Sequence, residues 1–330
     1  MKRAASAVLD SFDVNAVIPT LVLGFFTLMG LLLPTQLAGM QWPILLFSML
    51  CLGFPHGACD VLALRNATSN SGSGATAALI TRFCWLYLAL GVATFAIWLL
   101  SPVLGLISFL ALTVWHWGEG DTWNVFPQGQ VRSVAAIGRG LVVLSAPLVL
   151  QFEASRDVLH GFTALGNQKN ALDGLWGSAP LFLGLGLVLQ FAGGALQWRG
   201  TQKPEQRSLV WWIVGETALI LGFWSAVPPL VGVAVYLCGV HALRHLLRLE
   251  AARSRFAPPY RSLLVALGQW HGGALGATIG ALVLLAPLLL FWPQLFRGAP
   301  DVSVGYFLLI AALTTPHAAT VGFLVGRRQL

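Results

Sequence analysis

Apolar runs long enough to cross a membrane follow one another along the whole length of this 330-residue chain. The hydrocarbon core of a bilayer is about 30 Å thick, which takes about 20 apolar residues in a helix. Hydrophobic residues make up 57% of the chain and charged residues only 9%, too little charge for a water-exposed surface. Because lipid offers no partner to an open backbone group, these runs must be helical. The sequence therefore predicts an all-α, polytopic integral membrane helical bundle that forms a single domain over residues 1–330.

The apolar windows predict about ten transmembrane helices, within a range of eight to ten. Placing the N-terminus in the cytoplasm puts most of the 19 Lys and Arg residues at the inner ends of these spans. This distribution predicts a multi-pass protein of the cell inner (plasma) membrane with both termini cytoplasmic. It also explains the net charge of +7 as orientation signals, so the expected partner is the lipid bilayer and no nucleic acid. The windows are about 15–33, 42–64, 79–100, 102–118, 136–152, 178–197, 209–226, 229–247, 262–290 and 304–325.

Histidines are the most informative residues of the chain, because ionisable side chains are costly inside a bilayer and mark functional sites there. Six of the seven histidines lie in predicted spans, whereas His160 falls in a predicted external loop. Under the ten-span arrangement, all of the six except His271 lie in the cytoplasmic half of the membrane, where they can converge. The six are His56, His116, His241, His245, His271 and His317.

His241 and His245 are four residues apart, so on a helix their imidazoles lie on one face and can bind one metal ion. His56 and His116, each from another span, complete a set of four nitrogen ligands. The alternative is that these histidines only pack or form hydrogen bonds between helices. An all-imidazole set favours Fe, Cu, Zn or Ni over ions that prefer oxygen. Four neutral ligands leave the charge of the ion uncompensated and a position open, which suits an Fe(II) centre that binds O₂.

Small and acidic residues accompany the histidines of the second and fourth spans. Gly57 and Gly118 allow another backbone or a ligand to approach closely. The nearby carboxylates are of a kind that orients a ligating imidazole through its second N–H. Their alternative roles are a solvated helix end or a salt bridge to Arg139 or Arg244. These carboxylates are Asp60, Glu119 and Asp121.

Other polar and aromatic residues of the spans have several possible roles. His317 is a fifth ligand, a pocket residue or a structural histidine, and for His271 the structural role is favoured. Glu216, a carboxylate of the seventh span, is expected to pair with an arginine or a histidine. The aromatic residues beside the histidines line an apolar slot for a long conjugated substrate, or they belong to interfacial belts and bundle packing. They are Phe54, Trp115, Trp117 and Trp270.

Four short motifs occur in the order and approximate spacing of the Brp/Blh family, and the resemblance covers nearly the whole chain. Members of this family resemble bacteriorhodopsin-related proteins and bacterial or archaeal β-carotene 15,15′-dioxygenases. The motifs are Pro-His-Gly-Ala-Cys-Asp at 55–60, His-Trp-Gly-Glu-Gly-Asp at 116–121, His-Ala-Leu-Arg-His at 241–245 and Pro-His at 316–317.

The resemblance implies an Fe(II)-dependent membrane enzyme that cleaves the central double bond of β-carotene with O₂ to give two molecules of retinal. It also implies a functional link to a retinal-binding opsin. Carried over position by position, it implies that His317 lies near the pocket and that the Fe(2+) ligands are His56, His116, His241 and His245.

Two functions of other classes remain open at this stage. A metal or proton transporter also uses intramembrane histidines, but it predicts polar residues across both halves of the bilayer. A non-catalytic carotenoid or retinal chaperone for an opsin keeps the apolar slot and tolerates the loss of a metal ligand. An intramembrane metalloprotease is disfavoured, because the chain has no His-Glu-x-x-His motif.

Overall fold

The computed structural model describes residues 2–68, 73–123, 125–126, 129–165, 168, 170–200, 204–254, 262–290 and 302–326. Every regular element in these ranges is a helix, as the sequence predicts. The helices form two compact units. The first unit comprises Met1–Ser48, Leu110–His160 and Lys169–Arg244, and the second comprises Met49–Phe109, Gly161–Gln168 and His245–Leu330. The prediction of a single membrane domain over residues 1–330 stays a prediction.

Helices of the first unit pack mainly through α1, α7, α10 and α11. The helix α10 lies along α7, and α11 packs on α1, α7 and α10. A π-helical segment, Tyr236–Ala242, continues from α12 and packs against α1. In chain order the helices are α1 (Lys2–Leu32), α2 (Pro34–Gly39), α3 (Gln41–Ser48), the end of α6 (Pro102–Thr122), α7 (Gln130–Leu150), most of α8 (Phe152–Ala164), α9 (Asp173–Gly177), α10 (Ala179–Gly200), α11 (Pro204–Ala226) and α12 (Pro229–Val235).

Small residues bring the backbones of the first unit close together. A Cβ atom at Gly138 would overlap the backbone of α10 at Gly186 and Gln190. A Cβ atom at Gly118 would likewise overlap the backbone of α7 at Ala136. Close approach through small residues is the usual way in which membrane helices associate, because lipid removes the hydrophobic driving force between them. Gly118, two residues after His116, therefore fixes α6 against α7, in agreement with the predicted close backbone approach.

The second unit is built around α4, which contacts α5, α14 and α15. Its core includes Cys59 from α4, Leu246 and Leu249 from α13, and Trp270 from α14. The elements of this unit are the π-helical segment Met49–Gly53, α4 (Phe54–Ala67), α5 (Ser73–Leu100), the start of α6, the end of α8, most of α13 (Leu243–Arg253), α14 (Leu263–Leu290) and α15 (Val302–Gly326).

Five helices of the described residues are long and apolar enough to cross a membrane by length and composition. Thr76–Leu100 has the highest mean hydropathy, 2.1, and only 6% of its apolar window is buried, as expected for a lipid-facing helix. The window of Pro229–Arg253, in contrast, is 78% buried. The other three are Gln41–Asn66, Gln130–Leu150 and Ala179–Gly200.

The number of spans differs from the predicted ten. Three further apolar segments, Val17–Leu32, Val210–Ala226 and Phe307–Gly322, lie within the longer helices α1, α11 and α15. The predicted window 102–118 is followed directly by the acidic residues Glu119 and Asp121, so the apolar part of α6 ends there. The described part of the chain thus supports a multi-pass helical membrane bundle but not the count of about ten.

Candidate metal centre

The first unit brings two buried histidines into contact. His116 lies near the end of α6, and His241 lies in the π-helical segment Tyr236–Ala242. Their side chains are 5% and 2% exposed, and their Nε2 atoms are 3.1 Å apart. Two nitrogens bound to one ion at about 2.0–2.1 Å, at an angle of about 90–110°, lie about 2.8–3.4 Å apart. The separation fits a shared ion, and it also fits an N–H···N hydrogen bond between the two rings.

A stack of aromatic rings holds the imidazole of His241 in place within the first unit. Trp117 stacks on His241 with ring centroids 5.7 Å apart, and Tyr236 stacks on Trp117 with centroids 5.4 Å apart. All three side chains are buried. Trp117 therefore fixes a ring plane that a ligand must keep, and its proposed role in a substrate slot has to be compatible with this stacking.

A buried cluster of two positively and two negatively charged side chains lies in the first unit close to these aromatic rings. Asp121 accepts hydrogen bonds from Arg139 Nε at 3.3 Å and from the Tyr236 hydroxyl, and it forms an ion pair with Arg244 at 3.0 Å. Glu216 pairs with both Arg139 and Arg244. Two guanidinium groups and two carboxylates are net neutral, which lowers the cost of burying them in an apolar bundle.

The cluster settles the partners of residues for which the sequence left alternatives. Glu216 pairs with arginines, as one of its two expected roles requires. Asp121 contacts Arg139 and Arg244, and Tyr236 and Trp117 connect it to His241. Glu119 pairs with Arg132 at 2.9 Å.

His56 occupies a defined orientation in the second unit. It follows the π-helical segment Met49–Gly53, and its Nδ1 lies 3.1 Å from the carbonyl oxygen of Leu52 and 2.5 Å from that of Gly53. Carbonyl oxygens only accept hydrogen bonds, so this geometry assigns the proton of the ring to Nδ1. The lone pair of His56 is then on Nε2, the nitrogen that can bind a metal ion.

Asp60, His245 and His317 form a second cluster within this unit. One carboxylate oxygen of Asp60 lies 2.8 Å from His317 Nδ1, and the other lies 3.9 Å from His245 Nε2. One ligand atom from each of the three residues lies within 4.8 Å of the others, so together they could hold a metal ion. His317 therefore belongs to a group of residues that could hold a metal ion.

The remaining predicted site residues have clear positions. Phe54 is buried against Leu309 of α15, which suits either packing or the wall of an apolar slot. Both nitrogens of His271 lie against carbonyl oxygens, Nδ1 at 2.7 Å from Leu267 and Nε2 at 2.5 Å from Cys51. Pro55 has no amide hydrogen to donate to the Cys51 carbonyl one turn before it, which leaves that oxygen open to the ring of His271.

The predicted four-histidine set is divided between the two units. His116 and His241 belong to the first unit, and His56 and His245 belong to the second. The first unit brings His116 and His241 into contact, and the second brings His56 and His245 each close to His317. A single ion shared by all four predicted ligands stays a prediction. The donor set fits a divalent transition metal ion, since imidazole nitrogens are its preferred ligands.

Sequence reasoning did not single out Tyr236, and it gave the pairing of Arg139 and Arg244 with carboxylates only as an alternative. Tyr236 is five residues before His241, a spacing that does not share a face on an α-helix but comes closer to doing so in a π-helical segment. An intramembrane tyrosine beside a histidine motif was the available signal.

Comparisons with known proteins agree with the motif resemblance. The family model described as Beta-carotene 15,15'-dioxygenase matches residues 47–325. The chain is 30% identical over 290 residues to the Probable beta-carotene 15,15'-dioxygenase Blh of Halobacterium salinarum, covering 84% of this chain and 82% of that protein. It is 24% identical over 275 residues to the Beta-carotene 15,15'-dioxygenase of Uncultured marine bacterium 66A03, covering 82% and 93%. No solved structure matches the chain.

Proposed function

The chain belongs to the beta-carotene 15,15'-dioxygenase family, which is also the Brp/Blh family, and from this membership we propose that it cleaves β-carotene with O₂. The central 15,15′ double bond breaks, each of its two carbons gains one oxygen atom, and the products are two molecules of retinal. The observation that supports this function most directly is the contact between two buried imidazoles, His116 and His241, on otherwise apolar helices.

We assign Fe(2+) as the metal ion and His56, His116, His241 and His245 as its ligands, on the basis of the family motifs. When bound, Fe(2+) supplies the one-electron chemistry that lets O₂ react with a carbon–carbon double bond. The protein contributes the position and the protonation state of the imidazoles. The carbonyl oxygens of Leu52 and Gly53 keep the Nδ1 proton of His56 in place, which keeps the lone pair on Nε2.

The substrate is a hydrocarbon and enters, in this proposal, from the lipid rather than from water. Phe54 and Trp117 are assigned to the walls of its slot, where apolar and aromatic side chains favour a polyene. The burial of His116 and His241 keeps water away from the reacting groups, which limits side reactions of activated oxygen.

For the cellular setting we propose a multi-pass protein of the plasma membrane with about ten spans and both termini in the cytoplasm. Each of the ten predicted windows lies almost wholly on helical structure, and the basic residues are distributed as positive-inside orientation requires. Reporter fusions to the two termini test this arrangement. The retinal product would serve a retinal-binding opsin.

Expression in a bacterium engineered to make β-carotene tests the function. We expect the orange colour to fade and retinal to accumulate, as measured by chromatography of extracted pigments. His241→Ala should abolish retinal formation. The matched control is His160→Ala, because His160 pairs with Asp173 and belongs to no proposed ligand set.

The same strain distinguishes the competing functions. Unchanged β-carotene together with ample protein in the membrane fraction would refute cleavage. Unchanged total pigment that copurifies with the protein would instead support a carotenoid chaperone. Altered cellular metal content without any retinal would support a transporter.

A further inference from the structure

The second unit contains a cluster of imidazoles that the four-histidine assignment uses only in part. His56 and Asp60 come from α4, His245 from α13 and His317 from α15. His317, Asp60 and His245 are 3%, 1% and 1% exposed. From this cluster we propose that His317 is a further metal ligand, binding through Nε2, and that Asp60 is the positioning residue that holds its ring. The role of this ion in catalysis rests on the proposed function, whereas metal binding by His317 does not.

The contact with Asp60 determines which nitrogen of His317 can bind a metal ion. An ionised carboxylate only accepts hydrogen bonds, so the 2.8 Å contact with Asp60 Oδ2 assigns the ring proton to Nδ1. The lone pair is then on Nε2. A carboxylate that accepts from the second nitrogen of a ligating imidazole is the usual arrangement in metal sites, and it makes the imidazole a stronger ligand.

The spacing of the rings agrees with this role. An imidazole centroid lies about 3.2 Å from an ion bound at about 2.1 Å, so two such rings at 90–110° have centroids about 4.5–5.2 Å apart. The centroid of His317 lies 4.8 Å from that of His56 and 5.0 Å from that of His245. The centroids of His56 and His245 are 6.1 Å apart. His317 is therefore the member of the cluster that best fits an ion shared with each of the other two.

A purely structural role for His317 predicts something different from a ligand role, because the two roles use different nitrogens. His317→Asn places an amide N–H near the position of Nδ1, so it can still donate to Asp60, but it has no counterpart of Nε2. If His317 only satisfies Asp60, this variant keeps the metal site. If His317 binds the ion, the variant loses a ligand while the hydrogen bond is kept.

The test uses the purified full-length protein in detergent with Co²⁺ as the probe metal. We expect His317→Asn to weaken Co²⁺ binding by more than about 100-fold, beyond the 10–100-fold typical of losing a partner of a ligand. Asp60→Asn, which keeps an acceptor oxygen, should weaken binding less than Asp60→Leu does. Wild-type affinity in His317→Asn would overturn the proposal.

A second variant gives a spectroscopic signature that does not depend on the first. His317→Cys replaces the imidazole with a thiolate, which produces a strong near-ultraviolet charge-transfer band when it binds Co²⁺. The band should appear in His317→Cys, where the backbone lets the thiolate approach the ion, and not in the control His160→Cys. Its presence would support the ligand role, and the affinity of His317→Asn remains the result that decides against it.

Retinal formation separates this proposal from the proposed function. If Co²⁺ binding depends on His317 but the protein forms no retinal, the proposed function is refuted and the assignment of His317 as a metal ligand is supported. Retinal formation together with wild-type Co²⁺ affinity in His317→Asn would do the reverse.

Discussion

At the scale of single residues, the histidines were predictable and most of their partners were not. The motifs point to His56, His116 and His241 because an imidazole inside a membrane span needs a reason to be there. The sequence placed Arg139 and Arg244 at inner helix ends as orientation signals and gave salt bridges to nearby carboxylates as an alternative. The structure buries both against carboxylates, which confirms that alternative for Asp121. Helices that are apolar on nearly every face carry little periodicity to show which side is buried.

The buried charge cluster gives a prediction about stability. Glu216→Gln leaves Arg139 and Arg244 to share the single carboxylate of Asp121, so one positive charge is uncompensated. Breaking such a buried pair costs about 3–5 kcal/mol. We expect a clearly lower midpoint of thermal unfolding in detergent.

A double variant provides the control for this prediction. Arg139→Met combined with Glu216→Gln removes one charge of each sign and leaves the Arg244–Asp121 pair intact. It should be more stable than Glu216→Gln alone. A double variant that is less stable than either single variant would contradict charge balance as the reason for the cluster.

At the scale of secondary-structure elements, helices were predictable from length and composition, but local changes in helical geometry were not. Residues four apart, such as His241 and His245, share one face on an α-helix, whereas Tyr236–Ala242 is π-helical. A second π-helical segment, Met49–Gly53, precedes His56. Such segments often occur at functional sites, and no simple sequence pattern predicts them.

Contact between α6 and α7 gives a prediction at this scale. A Cβ atom at Gly118 would overlap backbone atoms of α7, which cannot move aside as a flexible side chain can. Gly118→Ala should therefore destabilise the protein by about 1–3 kcal/mol. It should also lower retinal formation, because Gly118 is two residues from His116. Thermal unfolding and pigment analysis measure the two effects.

Gly184→Ala is the matched control for this variant. Gly184 lies on α10, and among the described residues no heavy atom outside its own stretch of helix lies within 4 Å of the position of its Cβ atom. It should behave like the wild type. Equal loss of stability in both variants would show that helix glycines matter here only in general and not through the α6–α7 contact.

At the scale of the whole molecule, the sequence predicts the membrane class and the family, and the comparisons confirm the family over residues 47–325. The number of spans was the weaker prediction, since the described residues support five helices that are long and apolar enough to cross a membrane and not the count of about ten. The division of the proposed iron ligands between two units was not foreseeable from motif order.

The proposal that one ion is bound by His56, His116, His241 and His245 has a measurable consequence. Purified protein should contain one iron per chain, and His116→Ala in the first unit or His56→Ala in the second should each remove all of it. Elemental analysis measures the content, with His160→Ala as the control that keeps it. Retention of half or more of the iron in either ligand variant would refute a shared ion.

The central claim is symmetric cleavage of β-carotene, and the stoichiometry of the purified protein tests it most directly. Protein in detergent, supplied with Fe(2+), β-carotene and O₂, should form two molecules of retinal for each β-carotene consumed. Formation of unequal aldehyde fragments, or no loss of β-carotene by iron-loaded protein, would contradict the account.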